Sequence, residues 1–157
     1  MSRATRATRA LEQAGIAFTI HVYDYDPGSA RVGLQAAEAL GEDPSRVLKT
    51  LMLLVDGKPA CAILASDREL SMKRVAAAFG GKAAAMMPVA QAERISGYKV
   101  GGVSPFGQAR RLPVAIDEPA LAHARVYING GQRGLQVRLD PREAAALLGA
   151  LIAPVAA

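Results

Sequence analysis

The stretch RVLKTLMLLVDGKPACAILA, residues 46–65, decides the fold, because it holds two runs of strand-forming residues on either side of a turn. The runs are RVLKTLMLLV, residues 46–55, and PACAILA, residues 59–65. Branched and other large apolar residues favour strands, and Asp-Gly between two such runs is a hairpin signal because both residues tolerate a positive φ. The sequence therefore predicts a β-hairpin that turns at Asp56-Gly57.

The N-terminal side of this hairpin carries helix and strand signals in turn. Residues 3–14 are predicted to form a helix, and residues 16–24 alternate well enough between apolar and polar positions for a strand. Ser29 can cap a helix over about 31–40, which Gly41 ends. We therefore expect a helix, a strand and a second helix before the hairpin.

The C-terminal side continues the mixture. Its predicted elements are a short helix MKRVAAAF capped by Ser71, a helix from Pro88 that stops before Gly97, strands within 111–116 and 124–138, and a C-terminal helix that starts at Asp140-Pro141-Arg142-Glu143. Strands and helices mix without a strict βαβ rhythm, so we expect an α/β (α+β) fold with a mixed, partly antiparallel, barrel-like sheet flanked by helices. The 157 residues fit a single domain, 1–157.

Composition narrows the class of protein. Hydrophobic residues make up 51% of the chain, enough for an ordinary core, yet no apolar run reaches the length of a transmembrane helix. The basic start leads into no signal-like segment, so we expect a soluble, cytoplasmic protein without a membrane partner. The single Cys61 excludes an internal disulfide and a cysteine-cluster metal site, and His21 and His123 leave little material for a zinc centre. We expect neither a metal nor a cofactor.

The charge of the chain bears on its partners. The net charge is +5, which is compatible with a phosphate-bearing partner, although composition alone favours a basic protein that binds no nucleic acid. Aromatic residues are only 4% and Trp is absent, so any RNA contact should depend on phosphates and shape rather than on stacking. Arg3, Arg6 and Arg9 recur every third residue of the first predicted helix, as either a phosphate-contacting edge or a solvated face.

No familiar catalytic motif is present. Cys61 lies in an apolar run with no base or cation nearby, which indicates a core thiol rather than a nucleophile. Neither G-x-S-x-G nor H-E-x-x-H occurs, and both histidines fit structural roles. Lys49 is the unusual residue, because an ammonium group inside a strongly apolar strand is costly to bury without a partner. We interpret it as functional, with a solvent-facing lysine on an edge strand as the alternative.

Two glycine-rich segments also stand out. The first, GYKVGGVSPFG over residues 97–107, is flanked by positive charge, and its missing side chains let backbone N–H groups approach a ligand. The second, NGGQRGL over residues 129–135, predicts a tight turn at Asn-Gly-Gly between strands 125–128 and 134–139 and leaves Arg133 available for a phosphate or carboxylate. Neither has Walker or dinucleotide-binding spacing, and each is also compatible with an ordinary turn.

Four segments taken in order resemble one known family. They are LKTLMLLVDG, ELSMKRVAAAFGGK, ISGYKVGGVSPFGQARRLPVAID and VYINGGQRGLQVRL, and together they are similar to the YbaK family of Cys-tRNA(Pro) deacylases over about residues 8–150. The resemblance implies the fold of the tRNA-editing domain that is also inserted in bacterial prolyl-tRNA synthetases. It implies mischarged tRNA(Pro) as the substrate and prolyl-tRNA synthetase as a further partner.

The resemblance also assigns residues. Lys49 matches the lysine of the family's catalytic pocket, and Tyr23 matches a pocket tyrosine. The substrate-binding glycine-rich loop and turn match at Gly101, Gly102, Ser104, Pro105, Phe106, Gly130, Gly131, Arg133 and Gly134. Gln136 departs from the family, which often has an acidic residue there, so a carboxylate role at that position is in doubt.

The mechanism that the resemblance implies needs no protein nucleophile. Family members let the thiol of the bound cysteine attack its own ester carbonyl, which expels the tRNA, while backbone N–H groups stabilise the oxyanion. A hydrolytic second site is the physical remedy where a synthetase cannot exclude a near-isostere. The sequence leaves two alternatives: an Ala-tRNA(Pro) deacylase, and a non-catalytic tRNA- or synthetase-binding module of the same fold.

Overall fold

A computed structural model describes residues 3–28 and 34–157. Over those residues the helices are α1 Arg6–Gln13, α2 Gln35–Leu40, α3 Met72–Ala78, α4 Val89–Ser96 and α5 Pro141–Leu148. The strands are β1 Phe18–Val22, β2 Leu48–Val55, β3 Lys58–Ala65, β4 Ala84–Met86, β5 Val114–Asp117, β6 Val126–Gln132, β7 Leu135–Leu139 and β8 Leu151–Ala153. None of the helices in this part of the chain is long and apolar enough to cross a membrane.

The β2–β3 hairpin is confirmed, and it turns where the sequence predicts. Asp56 and Gly57 both have positive φ, 49° and 80°, which is the conformation of a two-residue hairpin turn. The register pairs Leu54 with Pro59. Hydrogen-bonded and non-hydrogen-bonded pairs alternate in an antiparallel ladder. Pro59 falls in a non-hydrogen-bonded pair, so its missing N–H removes no bond to β2.

The strands form two sheets, and the mixed α+β fold is confirmed. One sheet has the order β4-β2-β3-β5-β8, with antiparallel pairs around β2 and parallel pairs around β5. The other has the antiparallel order β1-β7-β6. A single parallel bridge between Val47 and Tyr127 joins β6 to the start of β2. Within the described residues no pair links β1 to β8, so this nearly continuous arrangement does not close into a barrel.

The largest core cluster lies between the two sheets and α1. It contains the inward residues of β6 and β7 together with Leu11 of α1, Ile63 of β3 and Phe106 of the long loop before β5, all almost fully buried. A second cluster covers the other face of the β2–β3 hairpin, where Val75 of α3 packs. The hairpin is therefore covered on both faces, as its mainly apolar sequence suggests.

Capping residues set the helix ends. The side chain of Ser71 accepts a hydrogen bond from the N–H of Arg74, and Asp140 accepts one from the N–H of Arg142, which confirms both predicted caps. α1 begins at Arg6, three residues later than predicted, because Thr5 forms a capping box with Thr8. The predicted cap at Ser29 and the start of its helix lie outside the described residues.

The predicted turn at Asn-Gly-Gly is wrong by three residues. β6 continues to Gln132, and the chain reverses at Arg133-Gly134 instead. Asn129 pairs with Gln136 and Gln132 pairs with Leu135, so two glycines of β6 lie between these pairs with no partner opposite. The Asn129 side chain accepts a hydrogen bond from Gly131 N–H at 2.7 Å, which satisfies a donor that the bulge removes from the ladder.

Candidate functional site

The candidate site begins at a gap in the pairing of β2. One edge of β2 pairs with β3 along its whole length. The other edge pairs with β4 only over Leu53–Val55 and bridges to β6 only at Val47. Residues 48–52 therefore have no residue paired opposite them on that edge within the described chain, although the Met52 carbonyl accepts a hydrogen bond from Met87 N–H. The β6 bulge starts at Asn129, two residues after Tyr127, and no pairing of β6 with β2 follows the bridge within the described residues.

A cavity of about 290 Å³ lies against this gap. Its wall is formed by every residue of β2 from Leu48 to Met52 and by parts of β7, α4 and the glycine-rich loop. The lining residues are Tyr23, Tyr25, Ala36, Val47, Leu48, Lys49, Thr50, Leu51, Met52, Ser66, Met86, Met87, Val89, Ala92, Val100, Gly101, Val103, Asn129 and Gln136. The wall is mainly apolar, as is usual for a small-molecule site.

Lys49 supplies the charge of the cavity. It is half-buried, and among the described lining residues no other side chain is charged. No aspartate or glutamate belongs to the described lining, and residues 29–33 contain none in sequence. An ammonium group without a neighbouring carboxylate attracts an anionic or strongly dipolar ligand group.

Two buried polar atoms at this wall have no hydrogen-bond partner. They are Oγ1 of Thr50 and Oε1 of Gln136. Buried polar groups are almost always paired, so these two atoms are available to accept a hydrogen bond from a ligand or an ordered water in the cavity. Gln136 also lies beside Tyr23. Burial raises the pKa of the Tyr23 phenol, and a hydrogen bond with the Gln136 side chain lowers that pKa. The wall is therefore polar but uncharged at this end.

The glycine-rich loop reaches the cavity at Gly101. Its φ of +93° favours glycine, and its carbonyl accepts a hydrogen bond of 3.3 Å from the side chain of Asn129. Gly102 does not line the cavity but packs on the second glycine-rich segment, where an added Cβ would lie 2.7 Å from the backbone N of Arg133. The two predicted glycine-rich segments thus contact one another.

Three predicted loop residues lie away from this cavity. Ser104 is fully buried and accepts a hydrogen bond from Phe106 N–H, while Phe106 itself is part of the core. Pro105 and Phe106 line a second cavity of about 200 Å³, which also contains Arg111. The structure therefore gives these residues a role in shaping the loop, and their contact with a substrate stays a prediction.

The residues of the second glycine-rich segment contact residues that line the cavity or lie next to it. Gly134 accepts a hydrogen bond of 2.9 Å from the N–H of Tyr23, and Gly131 leaves no room for a Cβ against Tyr98. Arg133 donates from Nε to the carbonyl of Val100 at 2.9 Å, and its guanidinium lies 5.4 Å from the ring centroid of Tyr25. Gly130, Gly131, Arg133 and Gly134 are not themselves lining residues.

Sequence reasoning missed four polar lining residues, Tyr25, Thr50, Ser66 and Asn129. Tyr25 lies just beyond the first predicted strand, Thr50 follows the singled-out lysine, and Asn129 opens the glycine-rich segment that was interpreted as a turn. Cys61 lies outside this cavity and is fully buried, and burial raises the pKa of its thiol to about 12. Across residues 3–28 and 34–157, no group of three His, Cys, Asp or Glu side chains could hold a metal ion.

Comparison with known proteins bears on the family of the chain. Residues 29–147 match the model of the aminoacyl-tRNA editing domain family. A candidate Cys-tRNA(Pro)/Cys-tRNA(Cys) deacylase of Enterococcus faecalis, EbsC, is 29% identical over 138 residues, which are 87% of this chain and 84% of that protein. YwhH of Bacillus subtilis is 32% identical over 123 residues, 78% of this chain and 77% of that protein.

A solved structure has the same fold. It is a crystal structure of a candidate trans-editing enzyme for prolyl-tRNA synthetase, with a TM-score of 0.84 and 25% identity. The superposition covers 100% of this chain and 98% of that one. The likeness therefore extends over both sheets and all the helices that surround the cavity.

Proposed function

The chain belongs to the aminoacyl-tRNA editing domain family, and from that premise we propose that it is a trans-editing enzyme that deacylates mischarged Cys-tRNA(Pro). Cys-tRNA(Cys) is included in the proposal because the name of EbsC includes it. In this proposal mischarged tRNA is the substrate, and the reaction corrects an error of prolyl-tRNA synthetase. The protein acts in the cytoplasm. Residues 1–157 act as one editing domain in this proposal.

The lining of the cavity is the observation that carries the proposal. Lys49 supplies a positive charge, and buried atoms of Thr50 and Gln136 await partners. At about 290 Å³ the cavity lies near the lower limit of the roughly 300–1,000 Å³ that ligand sites occupy, which suits a small aminoacyl group. Its mainly apolar wall suits a side chain such as that of cysteine, and alanine also fits it.

The cavity offers no activated protein nucleophile. Four hydroxyl-bearing residues line it, Tyr23, Tyr25, Thr50 and Ser66, but no His, Asp or Glu among the described lining residues can act as their base. The Ser66 hydroxyl also donates a hydrogen bond to the carbonyl of Pro44 at 3.2 Å. The thiol of the substrate is therefore the best-placed nucleophile, because the pocket holds it near the ester carbonyl.

The proposed reaction is an intramolecular acyl transfer. The thiol sulfur bonds to the ester carbonyl carbon, the bond from that carbon to the ribose oxygen breaks, and the thiol proton ends on the ribose hydroxyl. The cyclic thioester then takes up water and gives free cysteine. Lys49 holds the terminal ribose or phosphate, or neutralises the charge that develops on the ester oxygen. The glycine-rich loop, through Gly101 and Gly102, shapes the wall against which the ester rests.

The deciding experiment compares tRNA(Pro) that carries cysteine, alanine or 2-aminobutyrate. 2-Aminobutyrate replaces the thiol by a methyl group of similar size, so it should bind and yet be hydrolysed far more slowly than cysteine. Cys61→Ala should retain nearly full activity, because Cys61 lies in the core, and it controls for the protein's own thiol. Equal rates for cysteine and 2-aminobutyrate would contradict thiol chemistry, and a preference for alanine would identify an Ala-tRNA(Pro) deacylase. No deacylation of any ester would leave a binding module.

A further inference from the structure

We propose that the backbone of Thr50 binds the aminoacyl group as if that group were one residue of a neighbouring strand. The Thr50 N–H donates to the ester carbonyl oxygen, and the Thr50 C=O accepts from the α-amino group. The inference rests on the proposed function and deepens it, since it assigns the donor that stabilises the oxyanion. The aminoacyl group thereby fills the gap between β6 and β4.

Two hydrogen bonds fix the direction in which the Thr50 backbone points. The Met52 carbonyl accepts from Met87 N–H, so the polar groups of Met52 point away from β3. The Cys61 N–H, opposite Met52, donates to Pro113 on the far side of β3. Backbone groups of alternate residues in a strand point to the same edge. Thr50 therefore points its N–H and C=O to the same open edge as Met52.

The partner that ordinary strand geometry would supply there is displaced. The bridge between Val47 and Tyr127 starts a parallel pairing of β2 with β6, and one more step of it would place Asn129 opposite Lys49 and bond it to Thr50. That step is not made within the described residues, because β6 bulges at Asn129. The next partner strand, β4, begins its pairing only at Leu53. Thr50 lies in the middle of this gap.

An aminoacyl ester matches the gap chemically. Its α-amino group and its carbonyl flank one Cα, which is the arrangement that a single residue presents in an antiparallel hydrogen-bonded pair. Short extended ligands commonly bind to strand edges through such main-chain bonds. When the nucleophile attacks, the carbonyl π electrons move to the oxygen, and the Thr50 N–H is already directed at it. The unpaired Oγ1 of Thr50 lies at the same wall.

Removal of a single N–H tests the assignment. An α-hydroxy acid in place of Thr50 exchanges the backbone amide for an ester and deletes the donor, while the side chain stays. We expect kcat for Cys-tRNA(Pro) to fall by about 10²–10³-fold, the usual effect of losing one oxyanion donor, with a smaller change in KM. The matched control is the same exchange at Leu53, whose N–H belongs to the β2–β3 ladder and which does not line the cavity.

The wild-type protein and the Leu53 backbone ester together distinguish a failure of this inference from a failure of the proposed function. A wild-type protein that deacylates no ester would overturn the proposed function. A wild-type protein that is active, with equal kcat values in the Thr50 and Leu53 backbone esters, would overturn the inference alone. Circular dichroism and melting temperature check that both variants fold.

Amide exchange measured by NMR on the unmodified protein decides the matter if the backbone ester does not fold. The free protein should exchange the Thr50 N–H faster than the Leu53 N–H, because only the latter is in a ladder. The probe is 3′-cysteinylamino-3′-deoxyadenosine, an amide that is not hydrolysed. Saturation should slow exchange at Thr50 at least about tenfold and leave Leu53 unchanged. Unchanged exchange at Thr50 with the probe bound would overturn the inference.

Discussion

At the scale of single residues, Lys49 determines the electrostatics of the site. It is half-buried on β2 in a cavity whose described wall has no carboxylate. An ion pair would cancel much of its field, but here the charge remains available to a ligand. The positive charge of Lys49 is thus placed where it can bind an anionic group.

Lys49→Ala should therefore lower deacylation by at least about 10²-fold without unfolding the protein, since one preorganised electrostatic group typically contributes that much. Lys49→Arg should restore little, because a guanidinium is larger and donates in a fixed fork geometry. Rates on Cys-tRNA(Pro) and melting curves provide the measurement. Lys58→Ala, at the exposed start of β3, is the matched control. Near-wild-type turnover by Lys49→Ala would remove the central assignment.

Part of the site could be predicted from the sequence. The sequence analysis assigns Lys49, Tyr23 and Gly101 to the site, and all three line the cavity. The sequence does not assign Thr50 to the site. Side chains of neighbouring residues in a strand point to opposite faces, so a functional Lys49 predicts that Thr50 faces away from the ligand. A gap in the ladder changes this rule, since it exposes the strand edge, where backbone and both side chains are within reach. Only tertiary pairing reveals such a gap.

At the scale of elements, a glycine is required here either because no Cβ would fit at its position or because its φ is positive. Gly102 has an ordinary φ, but an added Cβ would meet the backbone of Arg133 at 2.7 Å and of Gln132 at 2.8 Å. Gly80 has a φ of +71° and open space around the position of a Cβ. The pair separates a steric requirement from a conformational one.

Gly102→Ala should destabilise the protein by about 2–3 kcal/mol and lower deacylation, because the two glycine-rich segments must move apart. Gly80→Ala should cost only about 1 kcal/mol, through its backbone conformation alone, and leave activity unchanged. Urea denaturation together with deacylation rates gives both quantities. An active Gly102→Ala protein of wild-type stability would show that contact between the segments is unnecessary.

Helix α1 is the second element with a testable surface. Arg6 and Arg9 are exposed, and Arg3 precedes the helix. If this edge contacts tRNA phosphates, Arg9→Glu should weaken binding across all tRNAs and reduce the slope of log K against log salt by about 1. Lys58→Glu makes the same change of charge at the hairpin and should leave the slope unaltered. Identical affinities and slopes for the two variants would return α1 to the interpretation of a solvated face.

The sequence signals for elements differed in strength. The hairpin and the starts of α3 and α5 could be predicted because turn and cap residues act locally. β4, Ala84–Met86, and β8, Leu151–Ala153, carry no pattern of their own, and pairing with β2 and β5 makes them strands. The turn after β6 was misplaced because Asn-Gly-Gly suits both a turn and a bulge, and the choice depends on the register with β7.

At the scale of the whole molecule, the two sheets share one core. Ile128 and Val137 of the smaller sheet belong to the same cluster as Ile63 and Ile116 of the larger one. A chain whose sheets bury each other should unfold as one unit. The single-domain prediction therefore has a thermodynamic test.

We expect one calorimetric transition, with equal calorimetric and van't Hoff enthalpies. Because the chain has no Trp, far-ultraviolet circular dichroism and tyrosine fluorescence are the suitable second probes. Their midpoints should coincide with the calorimetric one. Two separate transitions would indicate that the smaller sheet melts by itself and would contradict the single domain.

The β6 bulge has a consequence for how such a site can be altered. Two surplus residues, Gly130 and Gly131, form the bulge that follows the bridge between β6 and β2, and neither of them lines the cavity. Deletion of both residues should let β6 continue its pairing along β2. The resulting variant should fold with the cavity closed and should keep Lys49 and every other lining side chain. Insertions or deletions in this one hairpin would then tune the aperture, while point substitutions in the wall would tune only its chemistry.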